Sequence, residues 1–279
     1  MNKVLVIGPT YKTQVITTEQ KLQESDIFNC SYTNDIGGGQ FLVAHNLAVM
    51  ETDTYFITRL AYDEAGNRLL KDLDENNVVV NFTSNQLSST AQKTYLFSKE
   101  GLKIFDDIPY NCYPSLEDRV PAEFFMNVDY ALINIINSNY FHYILKNYPK
   151  MHYICDNNIP SDEILENVEG VILDEEHVKN YVDERDFASF ADKLLYKGIN
   201  YLLVTDKGKG VYIYTRNGND YLAKDKSGPY YLGCHEVFVS MFLASLSNGL
   251  PFSQALNNGL NLTNDFSYTK AIKLEKEFF

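Results

Sequence analysis

The chain has 279 residues, of which 45% are hydrophobic and 22% charged, and its formal net charge is −13 at pH 7. This is ordinary globular composition, and the length suits one large α/β domain with a sizeable core or two small ones. The acidic balance argues against a nucleic-acid partner, because there is no basic stripe to neutralise a phosphate backbone. It leaves open a small phosphorylated ligand held by backbone amides.

Cysteine usage and the apolar runs indicate the cellular location. The four cysteines, at positions 30, 112, 155 and 234, have no CxxC or metal-ligand spacing, and free thiols suit a reducing compartment. The first apolar run, Val4 to Ile7, is too short for a signal sequence, and no stretch reaches the length of a membrane span. We therefore expect a cytoplasmic protein without a membrane partner.

In the first half of the chain, predicted strands and helices alternate. They are a strand at 3–7, a helix at 40–50, a strand at 54–58, a helix ending near 73 and a strand at 78–82. This order predicts a parallel sheet with helices on both faces. Residues 14–34 alternate weakly and are predicted as two further strands, with Phe28, Cys30 and Tyr32 on one face. Two runs at 91–97 and 102–105 predict a β-hairpin.

The second half continues the same alternation. The predicted elements are strands at 130–136, 152–155, 171–173, 201–205 and 211–215, and helices at 140–147, 251–266 and up to 279. Asp156, Asn157 and Asn158 follow one strand at its carboxyl end, where open α/β sheets place ligands. His45, in the middle of a predicted helix, is expected to be packed or at the surface rather than a ligand.

Two glycine-rich segments interrupt the pattern. Gly37, Gly38 and Gly39 precede the helix at 40–50, where they either allow close approach of the backbone to a ligand or form a flexible turn. Gly208 and Gly210 separate the strands at 201–205 and 211–215. Lysines lie on both sides of Gly208, where they are either solvated or within reach of a phosphate.

The stretch from Gly228 to Gly249 is the most informative part of the sequence. Val237 to Leu246 is apolar almost all round, which is typical of a buried helix. Gly233 comes just before it, and a glycine turn that opens a helix directs free amides and the positive end of the helix dipole at its contents. This is a ready anion site, and phosphate is the usual anion. Glu236, in the first turn, is then placed to act as a base beside a bound phosphate.

This arrangement resembles the second signature of the PfkB (ribokinase-like) carbohydrate kinases, in which the turn reads G-A-G-D. Gly233, Cys234, His235 and Glu236 stand at those four places. The run GGGQFLVAHNLA resembles the first signature of the family, and residues 59–66 resemble its crossover motif. The resemblance covers nearly the whole chain. It implies an α/β, ribokinase-like three-layer sandwich with a mostly parallel central sheet and a small β lid.

The resemblance also implies roles for individual residues. Glu236 stands for the catalytic base, and the amides of Gly233, Cys234 and His235 for the anion hole of the transferred phosphoryl group. The substrate-binding positions are Thr13, Gly37, Gly38, Gly39 and Leu42, where Thr13 replaces the family's aspartate and Leu42 its asparagine. The nucleotide-binding positions are Thr205, Lys207, Gly208 and Gly210. Asp174 and Glu175 stand near the family's N-x-x-E motif and imply magnesium ligands, or else simply cap a helix.

Together these implications predict a single domain, 1–279, with lid strands inserted at about 12–34 and 91–106. The expected function is an ATP- and Mg²⁺-dependent kinase acting on a hydroxyl of a sugar or nucleoside-like molecule, with a possible homodimer through the lid. An ordinary surface hairpin is the alternative to the lid. The alternative function is a kinase-fold protein that has lost transfer and binds a nucleotide or sugar in a regulatory role, because the substitutions cluster at ligand-contacting positions.

Overall fold

A large twisted sheet runs through the centre of the computed structural model, which describes residues 3–21, 29–83, 87–183, 186–224 and 226–279, without the side chains of 34–36. Phe28 therefore lies outside the described residues. The central sheet has nine described strands in the order β13-β12-β11-β10-β9-β8-β1-β4-β5. The strands from β11 to β5 are parallel, and β12 and β13 are antiparallel.

The predicted elements occur in the expected order with shifts at their ends, and the strand at 218–223 and the helices at 162–165 and 187–196 are additional to the prediction. The strands are β1 (Lys3–Ile7), β2 (Thr10–Thr17), β3 (Ser31–Gly39), β4 (Asp53–Arg59), β5 (Val79–Thr83), β6 (Gln92–Ser98), β7 (Gly101–Asp107), β8 (Val128–Ile133), β9 (His152–Asp156), β10 (Gly170–Asp174), β11 (Tyr201–Asp206), β12 (Gly210–Thr215) and β13 (Gly218–Ala223). The helices are α1 (Gln40–Val49), α2 (Glu64–Glu75), α3 (Ser138–Asn147), α4 (Asp162–Leu165), α5 (Glu175–Val178), α6 (Phe187–Tyr196), α7 (Cys234–Ser247) and α8 (Phe252–Phe266).

Alternation along the buried strands produces the three layers. In β1, Val4 and Val6 pack into the apolar cluster that holds α1, α2, α7 and α8, whereas Leu5 and Ile7 pack into the cluster that holds α3, α4 and α6. Successive side chains of a strand point to opposite faces, so a strand buried on both faces must be apolar throughout. The predicted α/β sandwich with a mostly parallel central sheet is confirmed.

A second sheet of four described strands, in the order β3-β2-β6-β7, stands at the carboxyl end of β1. Strand β2 begins only three residues after β1 ends, and β3 leads directly into α1. The predicted hairpin is present as β6 and β7, and it pairs with β2, with which β6 is parallel. Gly37 to Gly39 are the last residues of β3, so the flexible turn, one of the two alternatives for these glycines, is not what the structure has.

The chain end differs from the prediction. A helix was expected up to residue 279, but the structure has one 3-10 turn, Lys276–Phe278. The preceding residues are fixed by buried polar groups: the amide of Leu274 donates to Asn46 Oδ1 at 2.9 Å, and His45 Nε2 lies 2.9 Å from the Leu274 carbonyl oxygen. His45 Nδ1 also lies 2.6 Å from Asp72 Oδ1. His45 is thus a packed residue, as expected.

Asp72 anchors this C-terminal strap, which we define as residues 270–274. Its carboxylate contacts both His45 and Lys273, and these hydrogen bonds hold the pKa of Asp72 below its usual value although burial opposes this. Asp72→Asn is expected to lower the free energy of unfolding by about 1–3 kcal/mol, because buried partners lose a charged acceptor. Urea denaturation of this variant beside Asp74→Asn, an exposed site on the same helix, checks it. Equal stability of the two variants would contradict the anchoring role.

Candidate active site

The first turn of α7 lies at the centre of the site. Gly233 has φ +81° and precedes the helix, and a Cβ at this position would lie 2.1 Å from the carbonyl oxygen of Ile272. Only glycine combines this left-handed conformation with so close an approach of the strap. Helix α7 is buried on nearly all sides, as the sequence predicts, and among the described side chains none caps its first turn. The positive end of the helix therefore faces the site.

The amides of this turn are partly engaged. The amide of Cys234 donates to the carbonyl oxygen of Tyr231 at 3.2 Å, and the Cys234 side chain is buried. Burial raises the pKa of Glu236, whereas the positive charge of His235 lowers it.

His235 contacts the ends of two strands of the central sheet. Its Nδ1 lies 2.8 Å from Thr205 Oγ1 at the end of β11, and its Nε2 lies 2.8 Å from Asp156 Oδ1 at the end of β9. Gln40 Nε2 donates to the other Asp156 oxygen at 2.6 Å. From the sequence, Asp156 is predicted only as a strand-end residue, and Gln40 is not predicted as part of the site. No local pattern joins Asp156 to His235, because the two residues are 79 positions apart.

One cavity, the first cavity, contains residues of both expected sites. Its lining includes the expected substrate positions Thr13, Gly38 and Leu42 and the expected nucleotide positions Thr205 and Lys207. Gly233, His235 and Glu236 of the α7 turn line the same cavity. The sequence analysis missed Tyr11, Lys93 and Tyr95, which also line it. Lys93 and Tyr95 are two apart in β6, so alternation along the predicted hairpin indicates that they share a face.

A neighbouring second cavity shares several of these residues. Glu236, Tyr11, Lys93 and Tyr95 line both cavities, and Gly39, Asp106 and Tyr113 line only the second. Lys93 Nζ lies 3.4 Å from Asp106 Oδ2 and also faces the rings of Tyr11 and Tyr95. Gly37 lines neither cavity, because it packs against Phe41, where a Cβ would lie 1.9 Å from the ring.

The turn between β11 and β12 distinguishes its lysines and glycines. Lys207 lines the first cavity and Lys209 is exposed. Gly208 has φ +78° and packs on Cys234, whose Sγ would lie 3.0 Å from an added Cβ. Gly210 faces Tyr221 and the Leu222 carbonyl. These two predicted nucleotide-binding glycines therefore shape the turn without lining the cavity.

The expected magnesium ligands already have partners. Asp174 caps α5: its Oδ1 accepts from the amide of His177 at 2.7 Å, and its Oδ2 lies 2.7 Å from His177 Nδ1. These contacts hold the pKa of Asp174 well below its usual value. Glu175 Oε1 lies 3.3 Å from Lys179 Nζ and its Oε2 lies 3.8 Å from Lys207 Nζ.

Magnesium is usually held by one or two carboxylates together with substrate phosphates and waters in near-octahedral geometry. Within the described residues, no group of three acidic, histidine or cysteine side chains is arranged to hold a metal. Asp174 caps α5 in this arrangement, as the capping alternative expects, and the magnesium role of Asp174 and Glu175 stays a prediction.

Among the described helices, none is long and apolar enough to cross a bilayer.

Comparison with known proteins adds the fold family. No family model matches the sequence, and none of the curated proteins matches it. The structure is similar to ribokinase from Thermotoga maritima (15% identity, TM-score 0.74, covering 100% of this chain and 98% of that one). It is also similar to Arabidopsis thaliana ribokinase complexed with ribose and ATP (16%, 0.76, 99% and 96%) and to Cryptococcus neoformans ribokinase in complex with ADP (14%, 0.75, 98% and 96%). The chain has the ribokinase-like fold, as the sequence predicts.

Proposed function

We propose that this protein is an ATP-dependent kinase that transfers the γ-phosphoryl group to a hydroxyl of a sugar or nucleoside-like small molecule. The observation that carries the proposal is the first cavity, which Glu236 lines together with expected substrate positions and expected nucleotide positions. The likeness to ribokinases solved with ribose and ATP, or with ADP, supports this choice of substrates. We infer a cytoplasmic location from the four free cysteines.

The chain's own groups supply the proposed steps. Glu236 accepts the proton of the acceptor hydroxyl, whose oxygen forms a bond to the γ-phosphorus while the bond from that phosphorus to the bridging oxygen breaks and ADP leaves. The first turn of α7 stabilises the charge on the transferred group. No step is assigned to a metal ion, because Asp174 and Glu175 are already engaged.

The four-stranded sheet is proposed to act as a lid on a single domain. Lys93 and Tyr95 of β6 and Thr13 of β2 line the cavity. Strand β7 is an edge strand whose Ile104 and Phe105 are exposed, which suits a subunit contact. The lid can thus both cover the acceptor and join two copies of the chain.

The experiment is a thermal-shift and transfer assay. ATP with magnesium in the buffer is tested first, and a panel of sugars and nucleosides follows. A ligand at 100 times its dissociation constant stabilises the folded state by about 2.7 kcal/mol, so binding is readily detected. Absence of any melting shift or heat of binding at millimolar nucleotide would exclude the kinase and leave the fold assignment unchanged.

A second candidate, a binding protein that has lost transfer, is favoured by one observation. Lys207 Nζ lies 2.7 Å from Glu176 Oε1, so the cation expected to meet phosphate is already paired, as are Asp174 and Glu175. Nucleotide binding without transfer to any member of the panel would support this candidate.

Lys207 offers a direct test of the nucleotide position. Lys207→Ala is expected to weaken ATP binding by about tenfold or more, because a hydrogen bond to a charged group contributes about 1.5–3 kcal/mol. Lys209→Ala is the matched control, since Lys209 is exposed in the same turn and does not line the cavity. Calorimetric titration measures both dissociation constants. If the two variants bind ATP equally well, Lys207 does not contact the phosphates.

A further inference from the structure

A buried polar network surrounds His235. Its four members, Gln40, Asp156, Thr205 and His235, are each less than one-tenth exposed. They are joined by contacts of 2.6 Å from Gln40 to Asp156, 2.8 Å from Asp156 to His235 and 2.8 Å from His235 to Thr205. They come from α1, β9, β11 and the first turn of α7. The network therefore ties the phosphate-facing turn to the carboxyl edge of the sheet.

The contacts of His235 favour its doubly protonated form. An ionised carboxylate only accepts hydrogen bonds, so Asp156 accepts from Gln40 on one oxygen and from His235 Nε2 on the other. Asn157 Nδ2 also lies 3.1 Å from His235 Nε2. Burial by itself lowers the pKa of His235, but the adjacent Asp156 carboxylate raises it to about 9.

The charged neighbours of Glu236 come from every element around the cavity. The central sheet and α5 contribute Asp156, Asp174, Glu175 and His177. The lid contributes Lys93, Asp106, Tyr11 and Tyr95, and the β11–β12 turn contributes Lys207. Lys93 is paired with Asp106 and Lys207 with Glu176. Among these charges, His235 is the one that most favours the ionised form of Glu236, and Asp156 and Asp174 each oppose it less.

We propose that His235 is a positioning residue for Glu236: held as an imidazolium between Asp156 and Thr205, it favours the ionised Glu236 carboxylate and balances the buried Asp156 charge beside the phosphate-facing turn. The ribokinase-like signature has a small residue at this place, so the cation is a feature of this chain. This cation lies in a site in which Asp174 and Glu175 are already engaged by other residues. The catalytic consequence rests on the proposed kinase function, whereas the charge pair itself does not.

The physical need for such a cation follows from burial. Burial raises the pKa of a carboxyl group that has no positive charge nearby, so the group stays protonated up to a higher pH. A protonated carboxyl group cannot accept the hydroxyl proton. His235→Gln keeps a hydrogen-bonding side chain but removes the charge. Asp156→Asn removes the anion that stabilises the imidazolium, so His235 is expected to lose its proton at neutral pH.

The primary test does not need activity. ¹³C NMR titration of side-chain carboxyl groups follows Glu236, identified as the resonance missing in Glu236→Gln, and ¹⁵N NMR reports the protonation of His235. We expect wild-type His235 to be doubly protonated at pH 7, and His235→Gln to raise the pKa of Glu236 by about 1 to 3 pH units, the range for loss of an adjacent opposite charge. Asp156→Asn is expected to shift Glu236 in the same direction and to leave His235 neutral.

His152→Gln is the matched control, because His152 is an exposed histidine at the other end of β9, paired with Glu169 at 2.5 Å. It is expected to leave Glu236 unchanged. The proposal is overturned if wild-type His235 is neutral at pH 7, or if neither His235→Gln nor Asp156→Asn moves the Glu236 titration. If one variant fails to fold, the other variant and the wild-type ¹⁵N spectrum still decide.

Kinetics then separate charge from structure. Removing the positive charge makes the Glu236 carboxylate less favourable, so the acid limb of the pH–rate profile is expected to move to higher pH in His235→Gln. A merely structural role would lower the rate without moving that limb, and this outcome counts against the proposal. If no form transfers phosphate to any acceptor, the kinase function fails, and the NMR titrations still decide the role of His235.

Discussion

Replacing Glu236 by glutamine is expected to abolish phosphoryl transfer while nucleotide binding is retained. Glutamine preserves the size of the side chain but cannot accept the hydroxyl proton, and general base catalysis contributes about 10²–10⁴-fold to a rate. Nucleotide binding is expected to persist because Lys207 and Thr205, which also line the cavity, are unchanged. Transfer to the identified acceptor and calorimetric titration of ATP, on the same preparation, measure the two quantities.

Glu236→Asp extends this test to geometry. Aspartate is one methylene shorter, so its carboxylate moves by about 1 Å, and a misplacement of this size can cost about 10²-fold in rate. A decrease in Glu236→Asp would show that the pocket is built around the longer side chain. Glu64→Gln is the control, because Glu64 also lies in the first turn of a helix but is exposed and remote from the cavity. An active wild type whose rate survives Glu236→Gln refutes the assigned role.

Much of the fold could be predicted because its causes are local. The apolar run of β1, the apolar helix α7 and the glycine before it each have a direct structural meaning, and each is found as predicted. Gly233 is informative because its left-handed conformation and its contact with Ile272 both exclude a side chain. The order of strands and helices then predicts the parallel sheet.

The rest depends on contacts between distant residues. Strand β2 pairs with β6 about 80 positions later in the chain, so the sequence predicts the hairpin but not its partner. The 3-10 turn near the chain end replaces a predicted helix because Asn46 and His45 engage the amide and the carbonyl of Leu274, which are then not available to a helix. In the site, the sequence offers Lys207 and Lys209 equally, and the turn geometry directs only Lys207 to the cavity.

Arg59 has a structural role that depends on residues distant in the sequence. It appears in the sequence only as the start of the crossover motif, yet in the structure its guanidinium forms a buried ion pair with Asp118, at 2.9 Å between Nη2 and Oδ1. The guanidinium also donates to the carbonyl oxygen of Asn111 and to Ser115 Oγ. The pair thereby fastens residues 111–118 to the end of β4, and this segment carries Tyr113 to the second cavity.

Arg59→Met is therefore expected to cause the largest loss of stability among these variants. It leaves the Asp118 carboxylate buried without its cation, and breaking a buried pair from one side costs about 3–5 kcal/mol. Arg68→Met is the matched control, because its pair with Glu64 is exposed at the surface of α2 and contributes about 0.5 kcal/mol or less. Urea unfolding with linear extrapolation gives both free energies.

The double variant Arg59→Met with Asp118→Leu distinguishes the ion pair from simple loss of packing. Replacing both members by apolar groups removes the unpaired charge, so the double variant is expected to regain a substantial part of the stability that Arg59→Met loses. The backbone amide of Ser115 donates to Asp118 Oδ2 at 2.8 Å in the wild type and loses this acceptor in the double variant. The recovery of stability is therefore expected to be incomplete. If Arg59→Met is no less stable than Arg68→Met, the ion pair does not fasten this segment.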